Sequence, residues 1–316
     1  MEIKKITVAG GGVLGSQIAF QSAFKGFDVT VWARNDESKK RVQDRFDSLY
    51  ETYKGEVEAL RNVIGTDDKH AEGILKDTKN AEPGVVEKLL EDVERAYKEI
   101  KIETSLEEAV KGRDLVIESL SENKDLKIEF YKTLAPLLDE ETILATNTSS
   151  LLPSWFMDYT GRPEKYLALH FANRIWVKNP VEIMVTSKTD GKYPEILKEF
   201  ALNIGMVPIM IKKEVPGYVM NSLLIPFLMA GMGLLANGVA DAETIDKDWK
   251  LTMCAPIGPF EELDYIGIPT AYHVVKNNPQ SADPNSTMGR IKAMLEKMIS
   301  EGKTGREAGE GFYKYN

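Results

Sequence analysis

Lys5-Ile6-Thr7-Val8-Ala9-Gly10-Gly11-Gly12-Val13-Leu14-Gly15 is the stretch whose reading decides the fold, together with residues 16–32 on its C-terminal side. Lys5 to Ala9 is short, apolar and rich in β-branched residues, the composition of a buried strand. A glycine cluster interrupts it. Val13 to Lys25 then has helical periodicity and stops at Gly26, where a helix C-cap belongs. Asp28 to Trp32 (DVTVW) is a second strand. Strand, helix and strand of these lengths make a βαβ unit and imply a parallel sheet. Gly10, Gly12 and Gly15 fit G-x-G-x-x-G at the strand-to-helix turn. The first permits the tight turn, the second lets the backbone approach a pyrophosphate, and the third lets helix and strand pack closely. The free N–H groups of the helix N-terminus then suit the phosphates. Gly10, Gly12, Val13, Leu14 and Gly15 are therefore the candidate dinucleotide-binding loop.

Outward from this unit, residues 36–99 are heavily charged, with helical stretches at 38–62 and 84–98 that read as a solvated excursion. Strands return at 100–103, 114–119, 142–146, 166–171, 181–185 and 207–211, with helices between them. After about Lys213 the strand signals end and the remainder is helical. The expectation is an α/β chain: a Rossmann-like doubly wound sheet domain over 1–213, then a smaller all-α domain over 214–316.

Composition narrows the function. Of 316 residues 43% are apolar and 28% charged, as in an ordinary globular chain, and the net charge of −9 offers no basic face for nucleic acid. The single cysteine, Cys254, can form neither an internal disulfide nor a zinc site alone, which points to a reducing, cytoplasmic setting and no metal. The N-terminal lysines and apolar residues read as strand and loop rather than a signal peptide. Val219 to Ala236 is uncharged over eighteen residues but carries Asn221, Ser222 and Pro226. It reads as a helix buried on all sides, part of it in a subunit interface, and not as a membrane span.

Only three histidines are present, His70, His170 and His273. His170 ends a strand (KYLALHF) and Glu182 lies at the start of the next (PVEIMV). If those strands are neighbours, carboxylate and imidazole meet, which fixes the ring tautomer and supports the protonated form that a general acid/base uses. Asn147-Thr148-Ser149-Ser150 follows the apolar strand TILAT, at a strand end that should face the ligand crevice. Asn221, an amide in an apolar helix, requires a partner.

The set GGGVLGSQIA, DLVIESLSENKDLK, TNTSSLLP, HFANRIWVKNPVEI, PGYVMNSLLIP, PIGPFEELD and GEGFYKY resembles the L-3-hydroxyacyl-CoA dehydrogenase family across essentially the whole chain. ATNTSSLLP, ALHFAN, IGMVPI and GYVMNSLLIP are most similar to its diketoreductase branch. The resemblance implies reversible hydride transfer between a nicotinamide and a 3-keto/3-hydroxy compound, with or without a CoA thioester. It implies His170 as acid/base, Glu182 as its orienting carboxylate, and Ser149 and Asn221 on the substrate. It also implies cofactor contacts from Glu122, Lys127 and Asn147, and a homodimer through the C-terminal domain. Two other readings remain open: a dehydrogenase of a non-CoA 3-hydroxy acid such as a sugar acid or carnitine, and a non-catalytic nucleotide-binding protein.

The sequence departs from that family twice. The usual His-Phe-Phe-Asn-Pro becomes His-Phe-Ala-Asn-Arg at 170–174, with the bulky Trp176 close by in a loop expected to border substrate. And where NAD-specific domains carry an acidic residue at the end of the second strand to hold the ribose 2′-OH, this chain has Ala33-Arg34-Asn35. With no carboxylate at 33, Arg34 can pair with a 2′-phosphate and Asn35 can donate to it. NADP(H) is the expected cofactor, with NAD(H) the alternative.

Overall fold

A computed structural model of the chain describes residues 2–315. A first compact unit runs to Val219 and a second begins at Met220. The first contains β1 (Lys5–Ala9), α1 (Val13–Phe24), β2 (Asp28–Trp32), α2 (Asp36–Ala59), α3 (Val85–Glu99), β3 (Lys101–Glu103), α4 (Leu106–Val110), β4 (Leu115–Glu118), α5 (Lys124–Leu134), β5 (Ile143–Thr146), β6 (Tyr166–Phe171), β7 (Pro180–Val185), α6 (Lys192–Asn203) and β8 (Val207–Ile211).

The eight strands form one sheet in the order β3-β2-β1-β4-β5-β6-β7-β8. All pairs are parallel except β6 with β7. The connection 172–179 is too short for the crossover of about a dozen residues that a parallel pair needs, so β7 must turn back. Strands β4, β5 and β6 are buried along their whole length. That matches their continuous apolar sequences, as expected of strands covered on both faces. The chain order reverses across β1, with β2 on one side and β4 on the other. In such sheets the crevice beyond the strands' C-terminal ends receives the ligand.

The charged stretch 36–99 is more than a solvated excursion. Val42, Phe46, Leu49, Tyr53 and Val57 recur at helical spacing on α2 and are buried, as are Val86, Leu89, Val93 and Ala96 on α3. Tyr53 packs on Phe20 and Phe24 of α1, with ring centroids 4.8 and 5.5 Å away. The charges line the outer faces, and the inner faces belong to the same core as the sheet.

The last helix to start in the first unit is α7 (Tyr218–Ala236). It is followed by α8 (Ala242–Met253), α9 (Pro259–Ile266), α10 (Ile268–Lys276) and α11 (Thr287–Ser300). The second unit has its own core of Leu228, Met232, Phe260, Leu263, Ile268, Val275, Ile291 and Leu295. Two buried carboxylates fasten it. Asp246 accepts from Phe260 N and Glu261 N at the start of α9, and Asp264 accepts from Phe312 N, Tyr313 N and Tyr315 Oη. The closing GEGFYKY segment is thereby tied to the helices.

Within the single chain, helix 219–236 is not buried on all sides as expected, and the share assigned to a subunit interface is left exposed. Only 22% of that apolar window is buried, and Leu223 is 70% exposed. Leu228 and Met232 take one side of α7 into the core, and a unit of this size has too few helices to cover the rest.

Candidate active site

The glycine loop is shaped for a phosphate group. Gly10 has φ +113° and its N–H donates to Trp32 O at 3.1 Å, so the turn demands a residue without a side chain. A Cβ at Gly15 would lie 2.0 Å from Gly10 O, whereas a Cβ at Gly12 would meet nothing within 4 Å. Gly12 thus keeps open the space through which a ligand reaches the backbone. Helix α1 has no side-chain cap and no acidic residue in its first turn, which leaves its first amides for an external acceptor. These features fit a dinucleotide pyrophosphate.

Beside the loop is a cavity of about 670 Å³. Its wall includes Trp32, stacked on Phe130 at 5.4 Å, and Ala33. It also includes Arg34, Ser38, Arg41 and Arg45, with Glu129 the only carboxylate. A strongly acidic chain has thus placed three arginines on one cavity. Asn35 has a structural role that does not compete with the expected donation from its side-chain amide N–H groups. Its side chain is the N-cap of α2 and accepts from Ser38 N at 2.9 Å, because a 24-residue helix starting at Asp36 needs its first amides satisfied. The sequence reading missed Ser38, Arg41 and Arg45. Their spacing, one α-helical face beginning just after the strand, was the available signal. Arg41 donates to Ser38 Oγ at 2.8 Å and also pairs with Glu37.

The neighbouring strand ends hold the other candidates. Glu118, at the end of β4, has no exposed surface and accepts four bonds, from Leu120 N, Lys127 Nζ, Tyr131 Oη and Thr146 Oγ1. Lys127 is expected on the nicotinamide side. Instead its side chain is wholly buried in this pair and also reaches Leu120 O. Its stem lies on the inward face of α5, and a buried ammonium stays where its carboxylate is. Glu122 accepts from Thr148 Oγ1 and from Ser149 N at 2.6 Å, bracing the serine turn. Asn147 is 7% exposed, accepts from Phe171 N and donates to Ser119 Oγ, stitching β5 to β6. Among the described residues the Ser149 hydroxyl makes no hydrogen bond.

His170 and Glu182 are direct register partners across β6 and β7. Glu182 Oε2 lies 2.9 Å from His170 Nδ1. With Nδ1–H donating to the carboxylate, the nitrogen left to act is Nε2, which has no hydrogen bond among the described residues. The other oxygen of Glu182 accepts from Val219 N at 2.9 Å. Tyr218, which the sequence reading missed, stacks on the imidazole with centroids 4.4 Å apart and planes 18° from parallel. Its hydroxyl donates to Thr148 O at 2.7 Å. Burial, with Glu122 and Glu182 nearby, pushes that phenol well above its ordinary range, so it remains a donor. Asn221 is half-buried on α7 in the second unit.

The divergent loop after His170 is tightly held. Gln17 donates to Asn173 Oδ1 at 2.7 Å and accepts from Arg174 N at 2.8 Å. Arg174 has φ +60°. Trp176 is expected to border substrate. It is instead 5% exposed, packs on Tyr53 at 5.3 Å and donates its indole N–H to Glu56 Oε1 at 3.0 Å. An indole with one polar edge finds both an aromatic neighbour and an acceptor there, and so it anchors the loop from behind.

A family model described as the 3-hydroxyacyl-CoA dehydrogenase NAD binding domain matches residues 5–215, and one for the 3-hydroxyacyl-CoA dehydrogenase C-terminal domain matches 217–315. The mitochondrial hydroxyacyl-coenzyme A dehydrogenase of Homo sapiens is 35% identical over 99% of this chain and 91% of its own length. A probable 3-hydroxybutyryl-CoA dehydrogenase of Deinococcus radiodurans is 30% identical over 98% of this chain and 100% of its own. Among solved structures, a diketoreductase that acts on dicarbonyl compounds is 42% identical with a TM-score of 0.85, covering 100% of both chains.

Proposed function

The chain belongs to the 3-hydroxyacyl-CoA dehydrogenase family and is a nicotinamide-dependent oxidoreductase acting on a CH–OH group; from that premise we propose that His170 and Glu182 form its acid/base pair and that NADP(H) is its preferred cofactor. The observation that carries the first part is the 2.9 Å contact from Glu182 to Nδ1, which leaves Nε2 open at the crevice end of β6. A bound nicotinamide supplies or accepts the hydride at the substrate's C3. In reduction, the imidazolium, its charge balanced by the adjacent Glu182 carboxylate, gives its Nε2 proton to the oxygen at C3 and is left neutral until it is reloaded. In oxidation, Nε2 removes the hydroxyl proton. Ser149, its hydroxyl without a hydrogen bond among the described residues, hydrogen-bonds a substrate oxygen. The assay is oxidation of the reduced cofactor with acetoacetyl-CoA and with a non-CoA β-keto ester. Turnover of neither, by a folded protein that binds the cofactor, overturns the reading.

A specific feature favours a substrate unlike an ordinary fatty acyl-CoA. A proline, held near φ −65°, cannot adopt the +60° of Arg174. The loop after the acid/base therefore follows a path closed to the usual family sequence. The β-keto ester is expected to be turned over with the higher kcat/KM.

Support for NADP(H) comes from the missing carboxylate at Ala33 and from Arg34, Ser38 and Arg41 on the adjoining cavity wall. Charge-assisted hydrogen bonds contribute roughly 1.5–3 kcal/mol, a preference on the order of 10- to 100-fold. Ala33→Asp with Arg34→Ile should move both kcat/KM and the fluorescence-titrated affinity toward NADH. A clear wild-type preference for NADH would remove this part alone.

The exposed apolar side chains Leu223, Leu234, Leu251 and Met253 support a homodimer through the second unit, since uncovered apolar surface of this kind marks interfaces. Sedimentation should give twice the chain mass, and a single-chain mass at micromolar concentration would overturn it.

A further inference from the structure

We propose that Tyr218 is a positioning residue for the proton transfer: its ring is a flat plate that sets the plane of the His170 imidazole, and thereby the direction of Nε2. The proposal rests on His170 being the acid/base.

A single hydrogen bond at Nδ1 leaves the imidazole one freedom that matters. The ring can still rock about its Cβ–Cγ bond within the give of that hydrogen bond and swing Nε2 off the reacting oxygen. A parallel ring at 4.4 Å and 18° removes that rotation, because any tilt of the imidazole drives its edge into the phenol. Tyr218 is itself fixed at three points. It is 1% exposed, its hydroxyl is tethered to Thr148 O beside Ser149, and its backbone is left-handed at φ +57° directly after Gly217 at φ +78°. A left-handed tyrosine is a strained choice that persists only where its surroundings over-determine it, and such residues gather at functional sites. The next residue, Val219, donates its N–H to the Glu182 oxygen that does not face His170. One dipeptide thus aligns the imidazole, its carboxylate and the serine turn together.

The test separates a flat ring from mere filling of space. Tyr218→Phe keeps the plate and loses only the tether. Its kcat should fall by less than about tenfold, the worth of one neutral hydrogen bond. Tyr218→Leu fills most of the volume without a plane, and its kcat should fall on the order of 100-fold, as expected when a reacting group is misplaced by about an ångström. Substrate KM and the directly titrated cofactor affinity should stay within about twofold of wild type in both. Crystal structures should show the His170 ring plane unchanged in Tyr218→Phe and turned or spread over several orientations in Tyr218→Leu, with the Nδ1–Glu182 contact kept in both. Equal losses in the two variants, or losses tracking a fall in cofactor affinity and thermal stability, overturn the proposal. Should Tyr218→Leu not fold, Tyr218→Met replaces it as the variant without a plane, with the same expected loss and the same overturning result, and a Tyr218→Phe loss beyond about 100-fold would assign the effect to the hydroxyl and not to the ring. If His170→Ala itself retains turnover, the acid/base reading fails. If His170→Ala is inactive and Tyr218→Leu is not, only the role of Tyr218 fails.

Discussion

Two buried carboxylate–base pairs stand on the strand ends of the same sheet, and they are built for opposite purposes. Glu118 with Lys127 is sealed: both side chains are inaccessible, and the carboxylate accepts from four donors on β5, α5 and the turn after β4. His170 with Glu182 is nearly as deep, at 7% and 8% side-chain exposure, yet its outer nitrogen has been left without a hydrogen bond among the described residues. An outer ring nitrogen without a protein partner can hydrogen-bond an incoming ligand. The difference between the pairs is therefore one of completeness rather than of residue type. The complete pair ties β4, β5 and α5 together, and the incomplete one is the proposed acid/base.

The contrast breaks most visibly at His170. His170→Ala should lower turnover by roughly 10²–10⁴-fold, the range for a positioned acid/base, with little change in denaturation midpoint. Near wild-type turnover in a folded variant would equate the two pairs. Glu182→Gln should cost a comparable factor, because the amide cannot balance the ring's charge.

At the sealed pair the effect should move from rate to stability. Glu118→Leu leaves a buried ammonium unpaired and should destabilise the first unit by about 3–5 kcal/mol in chemical denaturation. Adding Lys127→Met removes the orphaned charge and should recover most of that loss. A double variant no more stable than the single one would mean that Glu118 acts mainly through Tyr131 and Thr146.

A third base, half-buried Lys25, gives the smallest expected effect, because a desolvated base alone makes no active site. Lys25, at the end of α1, donates to Ile74 O at 2.8 Å and lies above the Phe24 ring. Burial lowers its ammonium from 10.5 to about 8, partly offset by Asp92. The fold disfavours the charged form, so the penalty is complete below about pH 8. It is relieved as the pH rises toward 10.5, where the folded state has shed a proton that the unfolded chain still holds. Stability should rise modestly across that window, and Lys25→Met should flatten the rise while leaving turnover unchanged. A parallel pH profile in the variant would show that Lys25 is not its source.

Some of this is legible in the residues themselves. The strand–glycine–helix run at 5–26 and the pairing of His170 with Glu182 depend on short-range rules. The first follows from backbone freedom at three glycines. The second follows from a connection too short to make anything but an antiparallel pair. The missing acid at Ala33 can be read for the same reason, because its place is counted from the glycines.

What the sequence does not disclose depends on which neighbour a side chain finds in space. Lys127 is expected at the cofactor and lies beneath the crevice, Asn35 caps a helix, and Trp176 points into the core. Each is a polar or amphipathic side chain with several partners within reach, and only packing selects among them. Tyr218 is the clearest case. Its sequence, Pro-Gly-Tyr-Val, reads as a helix start. That its ring lies flat on His170 from 48 positions earlier was decided when β6 closed against β7 and the chain turned back over both. Local backbone preferences are written residue by residue; the face a buried ring presents, and to what, is settled only by the whole core closing at once.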